Sequence, residues 1–325
     1  MNKNDQDLFT AVKFGNANAV RKLIRDGANV NFKLGITPLH SPAKPEIVAM
    51  LIDAGADVNA RDSNGRVPLH CQSNLDSVKL ILEAGADVNA KDGDGKTPIF
   101  YHFNPKSIRL LIDAGADINV KDKNGNSISL LHDQDDSELL RILVEAGADV
   151  NQTDENGVTP LHGQYCFSSV ECLVGAGANI VAKDERGYTP LHYAKDEKAA
   201  RLLIEAGADA NSRGGDGVTP LHVQDHWKTV KVLIELGADV NAEDDCGKTP
   251  LDYQNDLKVI GVLVEAGATL PELEDIKDSS PAKQEFIEDA RRRLKSSEAA
   301  NKIIQELEGV IAKPTSKGGA KGSPF

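Results

Sequence analysis

The sequence predicts an all-α repeat solenoid over residues 1–270, a helical extension over 271–312 and a polar tail over 313–325. Three observations carry the fold class. Gly-Ala-Asp-Val-Asn, or a near copy, starts at Gly27, Gly55, Gly85, Gly115, Gly147, Gly177, Gly207, Gly237 and Gly267, at steps of 28, 30, 30, 32, 30, 30, 30 and 30 residues. A fixed period in this range marks units that bury their apolar faces only against neighbours. Ahead of the glycines, apolar residues recur three, four and seven positions back, as Val48, Leu51 and Ile52 do before Gly55. That is one face of a helix. Finally, Thr-Pro-Leu-His stands at 37–40, 159–162, 189–192 and 219–222, with Val-Pro-Leu-His at 67–70.

Each element of the unit follows in order. Threonine is an N-cap residue and proline suits the first helical position, so Thr-Pro-Leu-His opens a short inner helix. The apolar stripe makes a longer outer helix, with Ile108, Leu111 and Ile112 before Gly115 as a further example. The glycine suits the left-handed residue that ends a helix, where a Cβ would clash. A polar stretch such as Arg61–Gly65 or Lys121–Gly125 then reverses the chain. Nine units at helix-stacking distances of about 8–10 Å make a rod or arc roughly 80 Å long.

At these residues the sequence resembles the ankyrin repeat family. Thr-Pro-Leu-His, the apolar outer helix, Gly-Ala-Asp-Val-Asn and the Asp-x-x-Gly turn all match, across residues 5 to 270. The resemblance implies stacked helix pairs, short β-hairpin or turn fingers along one edge, and a concave surface that binds another protein. Two departures stand out. In unit one, Leu8 to Gly27 spans 19 positions, the family's usual length, whereas Leu39 to Gly55 and its equivalents through Leu251 to Gly267 span 16. The missing three residues, about one helical turn, fall at the end of the inner helix, which is therefore expected to be a single turn in units two to nine. Glutamine also stands two residues after the motif histidine, at Gln72, Gln134, Gln164, Gln224 and Gln254, where the family has alanine. These glutamines are expected to form a ladder satisfying backbone groups that the shortened helix exposes. The stretch Ser127–Leu131, with two extra residues and no Thr-Pro, is the expected irregularity.

Composition agrees. Aromatic residues are 4% of the chain, as expected for cores of Leu, Ile, Val and Ala. No apolar run approaches the ~20 residues of a membrane span, and the amino terminus leads straight into unit one with no secretory signal. Cys71, Cys166, Cys172 and Cys246 follow neither metal-ligand nor disulfide spacing, so a cytoplasmic setting is expected. The net charge of −13 lies wholly in the repeats: residues 271–325 hold ten basic and ten acidic side chains, leaving 27 basic against 40 acidic over 1–270. Such a surface repels phosphate backbones and disfavours nucleic acid, while it steers a basic protein partner inward. It also keeps a long solenoid soluble.

No catalytic, cofactor or metal site emerges. Histidines 40, 70, 132, 162, 192 and 222 lie one per unit, so they do not converge on a metal; the family uses this histidine to tie the turn to its neighbour. Asp92-Gly93-Asp94-Gly95 opens like a calcium loop but lacks the later glutamate, and it coincides with the turn of every other unit. Trp227 takes an apolar position at the start of an outer helix and belongs to the core. No nucleophile constellation or phosphate-binding glycine loop stands clear of the repeats.

The chain beyond Pro271 leaves the period. Ser280-Pro281 is a helix start, followed by Phe286, Ile287, Ala290 and Leu294 on one face; Ala300, Ile303, Ile304, Leu307 and Ile311 make a second stripe. Two helices here would fold over the open end of unit nine, since terminal units need a polar outer face; a partner-binding pair is the alternative. Lys313–Phe325 is rich in Gly, Ser, Pro and Lys and is expected to be disordered. This basic tail resembles secretion signals of bacterial effectors that carry ankyrin repeats.

The reading is a monomeric, non-enzymatic protein-interaction scaffold. The alternatives are an effector delivered by a bacterium into the host cytosol, or catalytic or regulatory activity in the carboxyl-terminal extension. Positions that vary between units are read as free of packing duty and form the expected protein-binding surface. Three and four residues past the motif histidine these are Phe103, Asn104, Asp135, Asp136, Tyr165, Lys195, Asp196, Asp225 and His226; after the turn glycine they are Arg66, Lys96, Val158, Tyr188 and Lys248. Phe103, Tyr165 and Tyr188 are the expected anchors, because aromatic residues dominate interface hot spots.

Overall fold

The structure, a computed structural model, describes residues 3–124, 128–132, 136–272, 276–277 and 279–293. Unit one pairs an 11-residue inner helix, Lys3–Lys13, with the outer helix Ala17–Arg25. From unit two on, unit five apart, the inner element is one turn of three or four residues: Pro38–His40, Pro68–Cys71, Pro98–Tyr101, Pro160–Gly163, Pro190–Tyr193, Pro220–Val223 and Pro250–Tyr253. The outer helices, Pro45–Asp53, Leu75–Glu83, Pro105–Asp113, Ser137–Glu145, Phe167–Gly175, Glu197–Glu205, Trp227–Glu235 and Leu257–Glu265, are each 9 residues long. The three-residue deficit is thus taken entirely from the inner helix.

The outer helices stack consecutively, and so do the inner turns. One core runs the length of the stack, built from Val48 and Leu51, Val78 and Ile81, Ile108 and Leu111, and their equivalents. Trp227 packs against this core, as its sequence position predicts.

Each outer helix ends in the same way. In unit two the Gly55 N–H donates to Ile52 O at 2.9 Å and the Ala56 N–H to Leu51 O at 2.9 Å, with Gly55 at φ +85°. This is the Schellman arrangement, which satisfies two carbonyls that a helix end leaves open. It recurs through unit nine, where the Gly267 and Ala268 N–H groups donate to Val264 O and Leu263 O.

The fingers are turns. Among the described residues, extended pairing is limited to isolated bridges such as that between Leu34 and Ile36. The turn aspartate organises each tip: Asp92 Oδ1 accepts from the Asp94 and Lys96 N–H groups at 2.9 Å, so the calcium-like segment is a turn. Neighbouring tips are joined by backbone bonds, Gly93 N–H to Asn64 O at 2.7 Å and Glu185 N–H to Asn156 O at 2.9 Å. That contact demands glycine: a Cβ on Gly95, at φ +87°, would stand 2.7 Å from Lys123 N.

Unit five is the irregular one. Residues 125–127 and 133–135 lie outside the described residues, and with them part of the predicted irregular stretch, Gln134 and Asp135. Leu131 is nevertheless buried and His132 bonds onward to Val158 O at 2.8 Å, so this pair does the work of Leu-His without a Thr-Pro.

Past unit nine a helix covers 281–293. Ser280 Oγ accepts from the Lys283 N–H at 3.3 Å. Ile287 is fully buried, and Phe286 lies where a Cβ on Gly261 would be 3.7 Å from its ring. Equivalent positions on other outer helices carry Lys79, Arg109, Arg141, Arg201 and Lys231, with Ala49 and Glu171 in units two and six; the glycine of unit nine leaves room for Phe286. Leu294, the stripe from Ala300 to Ile311 and the tail 313–325 lie outside the described residues.

Candidate functional site

The motif histidines are built in on both sides. In units two, six, seven and eight the threonine N–H donates to Nδ1 of the histidine three residues on, at 3.0–3.2 Å, and the threonine hydroxyl bonds the same nitrogen at 2.8–3.0 Å. The other ring nitrogen reaches the next unit's turn: His40 to Arg66 O, His162 to Tyr188 O, His192 to Val218 O and His222 to Lys248 O, at 3.0–3.1 Å. Because Nδ1 accepts from a backbone N–H, the proton sits on Nε2 and donates onward. Burial holds these rings below the usual imidazole range, His192 to about 4. Unit nine has Asp252 instead, which accepts from the Thr249 N–H at 2.7 Å and, as a carboxylate, has no N–H to donate onward. Unit four has Phe100, and there the buried Thr97 Oγ1 is left without a partner.

A second network joins the turn to the concave side. The hydroxyls of Tyr101 and Tyr193 donate to Asp92 Oδ2 and Asp184 Oδ2 at 2.5 Å, and Tyr253 donates to Asp244. Each of these rings stands edge-on to the preceding unit's histidine, at 5.4–5.8 Å between centroids. Burial and the carboxylate bond push the Tyr101 and Tyr193 phenols up to about 12. Burial raises the Asp92 carboxyl, but the Tyr101 hydroxyl and the turn N–H groups outweigh it and hold Asp92 below the usual carboxylate range. This network ties up the side chains that looked most like chemistry.

The glutamine ladder is present in units three, eight and nine. Gln72 Nε2 donates to Leu39 O and Ser41 O at 2.8 Å, Gln224 Nε2 to His192 O at 3.0 Å, and Gln254 Nε2 to Gln224 O at 3.0 Å. In unit four His102 takes the place, its ring bonding Leu69 O at 3.0 Å. Lys283 supplies the next rung: its buried ammonium lies 3.5 Å from Leu251 O and 3.4 Å from Asp252 O. Its role was missed in the sequence, though one signal was there: Ser280-Pro281 follows Thr249-Pro250 after 31 residues.

The expected surface residues divide into two kinds. Phe103 is 73% exposed and Tyr165 51% exposed. The Lys195 ammonium lies 5.9 Å from the Tyr165 ring centre, and Asp225 is exposed in the same column. These positions, three past the motif histidine, carry no packing. The next position does carry a duty: Asn104, Asp136 and Asp196 are N-caps of outer helices, each accepting from backbone N–H groups. His226, at the same position, is an exposed side chain with no cap bond, its Nδ1 3.3 Å from Thr229 Oγ1. Among turn residues, Lys96 and Lys248 are exposed and Val158 is half-buried. Arg66 is bound to Asp62 at 3.0 Å. Tyr188 stacks on His192 at 4.7 Å and lies so close to Gly214 that a Cβ there would clash at 2.5 Å. Tyr188, Arg66, Asn104, Asp136 and Asp196 therefore vary between units without being free of structural work.

Among the described residues no group of His, Cys, Asp and Glu could hold a metal ion. Models of ankyrin repeats match residues 2–62, 44–122 and 127–214 as three copies, and a single ankyrin repeat matches 216–245. No curated protein matches the chain. Unit nine lies beyond the matched residues, yet Thr249–Tyr253, Leu257–Glu265 and Gly267 repeat the geometry. With the repeat matched over most of its length and rebuilt unit by unit in the structure, this chain belongs to the ankyrin repeat family.

Proposed function

We propose that the chain is a non-enzymatic scaffold that binds another protein through the concave face and fingers of the stack. The observation that carries this is the column three past the motif histidine, where Phe103, Tyr165, Lys195 and Asp225 are exposed, whereas Arg66, Tyr188, Asn104, Asp136 and Asp196 are engaged in the frame. Exposed aromatic residues on a rigid surface are what interface anchors require. Ankyrin repeats are in general protein–protein interaction modules. The excess of acidic side chains over 1–270 favours a partner with a basic surface and disfavours nucleic acid. No helix among the described residues is long and apolar enough to cross a membrane, and we place a monomeric scaffold in the cytosol.

Photo-crosslinkers at positions 103 and 165 are expected to capture one protein that a crosslinker at the exposed outer-helix position of Lys231 does not. Phe103→Ala with Tyr165→Ala is expected to weaken that complex by about 2 kcal/mol or more, with the melting temperature nearly unchanged. Equal capture from Lys231, or full affinity in the double variant, would place the interface elsewhere.

We also propose that the helix at 281–293 closes the open end of unit nine. The fit of Phe286 over Gly261, the burial of Ile287 and the Lys283 rung support this.

A further inference from the structure

The asparagine of Gly-Ala-Asp-Val-Asn stitches each unit to the next. Asn151 Nδ2 donates to Gly177 O at 3.1 Å, and its Oδ1 accepts from the Asn179 N–H at 2.6 Å. The same double bond is made by Asn31, Asn59, Asn89, Asn119, Asn211 and Asn241. Between units six and seven it is missing, because Val181 occupies the place and stands 55% exposed. Gly207, the glycine this stitch would hold, has φ +111°, outside the +82° to +97° of its equivalents.

Three more differences fall on the same interface. Ala194 stands in unit seven where Gln72, Gln224 and Gln254 reach back to the preceding unit. Ala199 stands where Ser77 Oγ and Thr229 Oγ1 donate to Ala43 O and Lys195 O of the units before them. Ala200, the smallest side chain of its column, fills the core position held elsewhere by Val48, Val78, Ile108, Leu140, Val170, Val230 and Ile260. What remains polar lies on the finger side: His162 to Tyr188 O at 3.1 Å and the Glu185 N–H to Asn156 O at 2.9 Å.

Stability in a solenoid is a sum of unit terms and nearest-neighbour interface terms, so the weakest interface decides where the stack divides. We propose that the interface between units six and seven is a built-in joint, held along the fingers and unstitched along the outer side, at which the solenoid opens as two blocks. The joint lies directly beneath the Tyr165–Lys195 pair, one residue from each block. If the binding surface proposed above is correct, a partner gripping both residues sets the angle of the joint.

Native-state hydrogen exchange on the full chain, read by mass spectrometry in rising urea below the unfolding transition, tests the joint without any partner. Two cooperative blocks are expected, with the boundary between Phe167–Gly175 and Glu197–Glu205. Val181→Asn with Ala194→Gln restores two of the missing ties and is expected to slow exchange in the Glu197–Glu205 block by about tenfold and to merge the blocks. Asn151→Val, which removes the stitch one interface earlier, is expected to create a second boundary between units five and six. A single block in the native chain, a boundary elsewhere, or exchange unmoved by both substitutions would overturn the proposal.

Discussion

Acidification is the sharpest perturbation available, because the histidines that join neighbouring units work only when neutral. His40, His70, His102, His162, His192 and His222 are all held below the usual imidazole range, with burial the first cause. Protonating Nδ1 also sets an N–H against the Thr189 N–H that now donates to it at 3.0 Å. Folded values lie below the unfolded value of about 6.5, so the unfolded chain takes up protons first. Stability is therefore complete above about pH 6.5 and falls as pH drops. For His192, held at about 4, the slope is about 1.4 kcal/mol per pH unit over that window. Between pH 7 and 5 this one ring forfeits about 2 kcal/mol, and about 3 kcal/mol by pH 4. The other rings shift in the same direction and add to it. Asp92 and Asp184 lie below the usual carboxylate range, so their contribution is lost only below about pH 4, leaving the interval from 6.5 to 5 to the histidines. Urea midpoints at pH 7 and pH 5, with heteronuclear NMR of the imidazoles, check this. The His192 ring should remain the neutral Nε2–H form at pH 5.5. An unchanged midpoint, or a His192 ring that titrates near 6.5, would refute the reasoning.

Three further outcomes are expected. Thr97→Val removes a buried hydroxyl without a partner and copies Val67 of unit three, so thermal unfolding should show a neutral change or a gain of up to about 1 kcal/mol; a clear loss would mean that the hydroxyl is satisfied in solution. Gly261→Ala should stabilise by up to about 1 kcal/mol through helix propensity, because the added Cβ meets Phe286 only at 3.7 Å. Gly261→Lys should displace the 281–293 helix and make it protease-sensitive, and equal protection in both variants would remove the capping role. Gly95→Ala combines a positive φ with a Cβ 2.7 Å from Lys123 N and should cost about 1–3 kcal/mol in a urea titration; a neutral result would mean that the fingers are not packed tip to tip.

The sequence by itself determined what recurs. Nine glycines at near-constant steps, the Thr-Pro pairs and the 16-residue spacing from Leu39 to Gly55 were enough to define a solenoid, its units and the loss of a turn from each inner helix, because these depend on local backbone preferences repeated in register. The duties of Gln72 and the motif histidines were legible too, since one side chain per unit at a fixed offset must meet the same neighbour each time. Only the tertiary structure decided which variable positions are free. Asp196 and Phe103 vary alike in sequence, but Asp196 caps an outer helix while Phe103 meets solvent. Tyr188 looked like an anchor and proved to be wedged between His192 and Gly214. Lys283 and Gly261 lie 22 residues apart in different patterns, and their shared role at the end of unit nine exists only once the 281–293 helix is laid against the stack. Periodicity reports contacts that every unit makes in common, whereas caps, wedges and missing stitches are single events, visible only where two particular side chains meet.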